Sequence, residues 1–276
     1  MEESSHNSVK SKLRFAVTTS HRPTPWQVEL AKQLALEFKA PFSARNDLSL
    51  EVLAWNLCVE GMVVVSSQKV SFVSGEQTFF FHPGLARLRI KALKNGKTDQ
   101  MIKAMSLQSG ESVLDCTLGL GSDAIVASFV SGVEGNVTGI ESSPVIFSLV
   151  SRGLSAYAEE DEDIALAMRR VEVINANHKE YLAQLPPNSF DVVYFDPMFR
   201  SPRPHSPAMN AMRVLASPNP IDHETIHLAL QVAARRVILK ERRGSAEFKR
   251  LGFDQICGGR YAPVVYGVMD RQGDPK

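Results

Sequence analysis

With 276 residues, 44% apolar and 22% charged, and a formal net charge of +1 at pH 7, the chain can hold one large or two modest domains and has no global pull toward a polyanion or a membrane. Cys58, Cys116 and Cys257 stand far apart with no CxxC pair, which argues against a disulfide framework or a zinc knuckle and fits a reducing cytoplasm. The polar start carries no apolar leader and no later run reaches the ~18 residues of a membrane span, so the reading is a soluble, cytoplasmic protein whose polyanion partners, if any, are met by local patches.

Residues 1–12 read as a disordered lead. A short strand, Phe15 to Thr18, comes next, and Thr24 then caps an amphipathic helix with Val28, Ala31, Leu34, Ala35 and Phe38 on one face. The turn Thr18-Thr19-Ser20-His21-Arg22 reads as a phosphate grip or as a capping loop for that helix. A second helix lies near Leu50 to Val59. Gly61 breaks into Met62 to Val65, followed by Val70 to Val73 and Thr78 to Phe81, which makes a small N-terminal α/β module. Pro83-Gly84 opens a basic helix, Leu85 to Leu93, and Asn95-Gly96 ends it. The boundary falls between about 82 and 106, and the division adopted is 13–95 and 96–276.

Beyond it, strands at 112–115, 136–140, 171–175, 190–195 and 236–240 alternate with helical stretches. Such alternation implies a doubly wound, mostly parallel sheet with crossover helices, and the nearly all-apolar strands fit a sheet covered on both faces. Phe253 to Cys257 and Val264 to Met269 are so close in sequence that they pair as a C-terminal antiparallel hairpin. The acidic run Glu159 to Asp163 reads as a solvated loop, and no metal site is expected.

The segment SVLDCTLGLGSD, Ser112 to Asp123, runs from an apolar strand into the turn Gly119-Leu120-Gly121 and a helix start. Glycines let the backbone approach a ligand, and free N–H groups of the following helix favour a negative group there. Ligands of an open parallel sheet sit beyond its carboxyl edge, where Asp115, Glu141, Asn177 and Asp196 all fall. Glu141, twenty positions after Gly121, stands where a ribose-accepting acid is placed, or else caps a helix. Asn177 reaches a base or serves as a turn residue. Asp123 meets a cationic ligand group or favours the helix dipole.

The tetrapeptide Asp196-Pro197-Met198-Phe199 ends the fourth of these strands. An exocyclic purine amine is a poor nucleophile because its lone pair is delocalised into the ring. The Asp196 carboxylate and Pro197 carbonyl are two acceptors suited to its hydrogens, and Phe199 offers a stacking face worth ~1–3 kcal/mol, or is ordinary core. Basic residues cluster at 84–103 and 235–250 and are candidate phosphate contacts.

These residues resemble the class I S-adenosylmethionine-dependent methyltransferases, through VLDCTLGLGSDA, Glu141 and an Asp-Pro-x-aromatic signature. DCTLGLGSDA with YFDPMF is more narrowly similar to the bacterial RsmJ-like family of small-subunit ribosomal RNA guanine 2-amino methyltransferases and its YpiP-like relatives, over roughly 106–270. The resemblance implies a Rossmann-like fold, S-adenosyl-L-methionine as cofactor and RNA as partner. It implies cofactor contacts from Asp115, Thr117, Gly119, Gly121, Ser122, Asp123, Glu141, Ser142, Asn177 and Asp196, with Asp196, Pro197 and Phe199 catalytic. Met198 stands where many amino-group methylases carry a second proline. Other readings stay open: transfer to a small molecule or protein side chain, or a non-catalytic RNA-binding factor. A nicotinamide enzyme is disfavoured because Ala124 replaces the third glycine of GxGxxG.

Overall fold

The computed structural model describes residues 13–197, 212–215 and 221–271, which form two compact units, one of residues 13–80 with 212–215 and one of residues 81–197 with 221–271.

The first unit contains β1 (Phe15–Thr19), α1 (Pro25–Phe38), α2 (Leu50–Asn56), β2 (Gly61–Val65), β3 (Val70–Ser74) and β4 (Gln77–Phe80). Its sheet runs β1-β2-β3-β4, with β1 and β2 parallel and the others antiparallel. Thr24 starts α1 with a reciprocal capping box: its hydroxyl accepts the Gln27 N–H, and the Gln27 side chain accepts the Thr24 N–H at 2.7 Å. Ala16, Met62 and Val64 form the core with Leu53 of α2. Thr18 and Thr19 are buried, the Thr18 hydroxyl donates to the Ser43 carbonyl, and the Ser20 N–H goes to Val65.

The second unit contains α3 (Gly84–Lys94), α4 (Gln100–Met105), β5 (Ser112–Asp115), α5 (Ser122–Ser131), β6 (Asn136–Glu141), α6 (Pro144–Ala156), α7 (Glu162–Arg170), β7 (Val171–Asn175), α8 (His178–Leu182), β8 (Phe190–Phe195), α9 (His223–Val232), β9 (Ala233–Arg242), α10 (Ala246–Leu251), β10 (Gln255–Cys257) and β11 (Val264–Asp270). The basic helix α3 therefore belongs to this unit. The sheet order is β10-β11-β9-β8-β5-β6-β7, doubly wound about β5. Strands β5 to β9 pair in parallel, whereas β11 is antiparallel to both β9 and β10. Val193, Phe195, Val237 and Leu239 are buried with Ile226 and Ala229 of α9. Burial of each such side chain is worth about 1.5–3 kcal/mol, the main stabilising term for a parallel sheet.

The acidic run is not a plain solvated loop. Glu159 takes a bond from Arg87 at 2.6 Å, and Asp161 caps α7 while pairing with Lys94 at 2.8 Å. Asp163 adds a second contact to Lys94. No helix among the described residues is long and apolar enough to cross a membrane.

Candidate active site

Parallel register brings the ends of β5, β6 and β8 to one edge. Asp115 lies across from Gly139 on one side and Tyr194 on the other. The chain leaving β5 then makes the glycine turn, with Gly119 and Gly121 at φ of 52° and 73°. A side chain at Gly121 would be strained by about 1–2 kcal/mol in this left-handed region. Leu118 folds back over β6 so tightly that a Cβ at Gly139 would lie 2.4 Å from its Cδ1. Gly121 then serves as the N-cap of α5.

Glu141, buried at the end of β6, holds this turn. Its carboxylate accepts the Gly119 N–H at 3.3 Å and the Ser143 N–H at 2.7 Å. Burial pushes it up to about 6 against these backbone bonds, which favour the charged form. Each oxygen retains acceptor capacity, so it can also take a ribose hydroxyl. It does not cap α6, a task that falls to Ser143. Ser142 is exposed beside it and Ser122 opens α5 half-buried.

Asp115 is 2% exposed, and the hydrogen bond on its carboxyl comes from the Thr117 N–H at 3.0 Å. Burial, with Asp123 and Asp196 nearby, pushes it up to about 8. A buried carboxyl with no cation in direct contact among the described residues fits a positively charged ligand group, which would favour its ionised form. Asn177 caps α8, its side-chain oxygen accepting from the Lys179 and Glu180 N–H groups. That oxygen is thus committed locally, and only the amide N–H₂ is left to face a base.

Asp123, expected either to meet a cationic ligand group or to favour the helix dipole, lies in the first turn of α5 and is met by cations of the protein itself. It is paired with the guanidinium of Arg89, takes the Tyr194 hydroxyl at 2.7 Å and the Lys240 ammonium at 2.8 Å. Arg89 also binds Asp99 through two bonds of 2.7 and 2.8 Å. Burial would raise Asp123, but Lys240 and Arg89 hold it well below the usual carboxylate range.

Asp196 follows β8 directly. Its N–H donates to the Thr117 hydroxyl at 2.5 Å, and its Oδ2 accepts from Lys240 at 2.7 Å. Oδ1 meets no hydrogen-bond donor among the described residues. Burial pushes Asp196 up to about 6, countered by the Lys240 charge and reinforced by Asp123. Pro197 is described and half-buried, whereas Met198 and Phe199 lie outside the described residues.

Arg89 and Lys240 were legible only as members of basic clusters. Much of both clusters is paired internally: Arg87, Arg89 and Lys94 as above, Arg235 with Glu111 at 2.6 Å, Arg236 with Asp270 at 3.0 Å, and Arg250 with Glu247 at 2.5 Å. No cluster of three or more metal-ligating side chains occurs among the described residues.

Residues 58–251 match a family model described as "Putative SAM-dependent methyltransferase". The chain is 38% identical to YpiP of Bacillus subtilis over 92% of its own length and 98% of that protein. It is 30% identical to the ribosomal RNA small subunit methyltransferase J of Thioalkalivibrio sulfidiphilus, covering 77% of this chain and 82% of the relative. A crystal structure of the SAM-dependent methyltransferase NGO1261 from Neisseria gonorrhoeae superposes with a TM-score of 0.63 at 19% identity, covering 94% of this chain and 97% of that one.

Proposed function

The chain belongs to the S-adenosylmethionine-dependent methyltransferase family, and from that premise we propose that it methylates an exocyclic amino group of a base in RNA, a guanine of small-subunit ribosomal RNA. The enzyme class and its cofactor, S-adenosyl-L-methionine, follow from the family itself.

The residues present fit this cofactor. Acceptors at Glu141 suit ribose hydroxyls, and the buried Asp115 carboxyl, which touches no cation among the described residues, suits a cationic group. In the same reading Thr117, Gly119, Gly121, Ser122 and Ser142 line the amino acid and ribose ends, and Asn177 offers its amide to the base. When bound, the cofactor supplies a methyl group on a positively charged sulfur, which keeps the electron pair of the C–S bond that breaks.

The observation that carries the substrate reading is the Asp196 carboxylate, with Oδ2 fixed by Lys240 and Oδ1 meeting no donor among the described residues. Oδ1 and the Pro197 carbonyl accept the two hydrogens of an amine, which localises the nitrogen lone pair toward the methyl carbon. Holding nitrogen, carbon and sulfur in line is the chief contribution, worth several kcal/mol of barrier. The nitrogen loses its extra proton to solvent after transfer, so Asp196 acts as an acceptor and no stronger base is needed. A base within a duplex must first be flipped out. The relative named for ribosomal RNA supports RNA as substrate.

Internal pairing of the basic clusters favours one second reading, transfer to a small molecule or protein side chain. The deciding experiment incubates the protein with methyl-labelled cofactor and total RNA from cells that lack it. Label in small-subunit ribosomal RNA supports the first reading, and label only in non-RNA fractions supports the second.

A further inference from the structure

We propose that Lys240 is a positioning residue for methyl transfer: its ammonium, held between Asp123 and Asp196, keeps the Asp196 carboxyl ionised and anchors Oδ2, which leaves Oδ1 to accept from the amine. The inference rests on the reading of Asp196 as the reactive centre and adds the group on which that centre depends.

Register explains how a strand lysine arrives there. Tyr194 and Phe195 of β8 lie across from Ile238 and Leu239 of β9, so Lys240 is the next residue along and stands level with Asp196. Its ammonium makes two short contacts, 2.8 Å to Asp123 Oδ2 and 2.7 Å to Asp196 Oδ2. The lysine side chain is 19% exposed and Asp196 30%, so solvent screens the contact only in part. Asp123 is itself immobilised by Arg89 and by the Tyr194 hydroxyl. The ammonium is therefore fixed from both sides, and a fixed donor fixes the carboxylate it binds.

The surrounding charges make this lysine necessary. Asp196 is faced by Asp123 of α5, by Asp115 at the end of β5 and by the Tyr194 phenol of β8. Lys240 also faces Tyr266 of β11, while Arg89 of α3 and Asp99 before α4 lie one step further out. Among these, Lys240 is the cation in direct contact with Asp196. Without it, Asp196 would be left in a partly desolvated corner beside the Asp123 charge with no cation on its own oxygens, and both burial and the like charge favour its protonated form. A protonated Asp196 has a donor where the amine hydrogens need an acceptor. An arginine or lysine merely filling the core has no such consequence for a neighbour's protonation.

The test reads the carbon-13 carboxyl resonance of Asp196 against pH in the full chain without cofactor, assigned by its disappearance in Asp196→Asn. In Lys240→Gln the midpoint rises by at least about one unit, a tenfold gain in proton affinity. Lys240→Arg leaves it within about half a unit of wild type, since the charge is kept. Asp123→Asn, which retains the lysine and removes a competing carboxylate, lowers it. An unmoved midpoint in folded Lys240→Gln, or an unmoved or raised one in Asp123→Asn, overturns the proposal. The underlying reading is tested separately: if Asp196→Ala leaves methyl transfer to small-subunit ribosomal RNA intact, Asp196 is not the reactive centre. If Asp196→Ala abolishes transfer while the midpoint ignores Lys240→Gln, Lys240 alone loses its role.

Discussion

Thr117 and Asp196 are joined directly: the Asp196 N–H donates to the Thr117 hydroxyl at 2.5 Å, which ties the turn after β5 to the end of β8. Thr117 precedes the glycine turn by two residues, so under the proposed function one hydroxyl couples the segment that takes the cofactor to the carboxylate that takes the amine. Thr117→Val keeps the shape and removes the bond. We expect kcat to fall by about ten- to a hundred-fold through misplacement of the reactive carboxylate, with thermal stability changed by only about 1 kcal/mol. Steady-state kinetics and a thermal melt check both; an unaltered kcat would show that the tie has no part in alignment.

Asp196→Ala should abolish transfer while cofactor affinity, read by titration calorimetry, stays within about threefold, because removing an acceptor made only for the transition state costs rate rather than ground-state binding. Comparable losses in affinity and rate would instead put Asp196 among the cofactor contacts.

Asp115 makes stability pH-dependent. Its carboxyl titrates near 3.8 when exposed and is pushed up to about 8 in the fold. The folded state thus binds the extra proton between these values, and the stability it contributes, complete below about 4, is lost as pH rises toward 8. Asp115→Asn retains an oxygen for the Thr117 N–H and cannot ionise. Its unfolding free energy relative to wild type should therefore grow from pH 4 to pH 8 by more than ~1 kcal/mol in urea titrations. A gap of constant size across that range is the contrary result.

Arg89 binds Asp99 and Asp123 in a buried network, with its side chain 18% exposed. Burial would raise Asp99, and the hydrogen bond and charge of Arg89 hold it below its ordinary value instead. Arg89→Met removes that cation and leaves Asp99 uncompensated, so we expect a cost of about 3 kcal/mol. Adding Asp99→Asn should recover much of it, and additive losses in the double variant would contradict the pairing.

RNA binding, where it occurs, should depend on the lysines of the first basic stretch that make no ion pair among the described residues: Lys91, Lys97 and Lys103. Replacing all three with alanine should lower the slope of log affinity against log salt by about 2, at ~0.7–0.9 for each phosphate no longer neutralised. Arg87→Ala, whose partner is Glu159, should leave the slope unchanged.

Much of this architecture was legible because it depends on local signals. Apolar β-runs ending in Asp115, Glu141 and Asp196, and the closely spaced segments at the C-terminus, specify a wound sheet with its hairpin, and the strands lie within a few residues of their expected limits. What escaped was pairing. Lys240 and Arg89 look like any surface cations, since nothing local says that strand register sets one beside Asp196 and helix packing sets the other on Asp123. The expected solvated run at Glu159–Asp163 fails, and the protein cations that meet Asp123 went unread, for the same reason: the partners, Arg87 and Lys94 in the one case and Lys240 and Arg89 in the other, are all more than thirty residues away in sequence. Met198 and Phe199 lie outside the described residues, so the stacking role remains an expectation.

The reversal of β11 has a practical outcome for anyone handling the protein. Running against β9, it starts beside Arg242 and finishes beside Arg236, where the Arg271 N–H donates to the Arg235 carbonyl. Arg235 precedes Lys240 by five strand residues, about 16 Å at the rise of an extended chain. A fluorophore or surface tether attached just past Arg271 therefore joins the sheet at its amino edge, one strand length from Asp196, the carboxylate proposed to react.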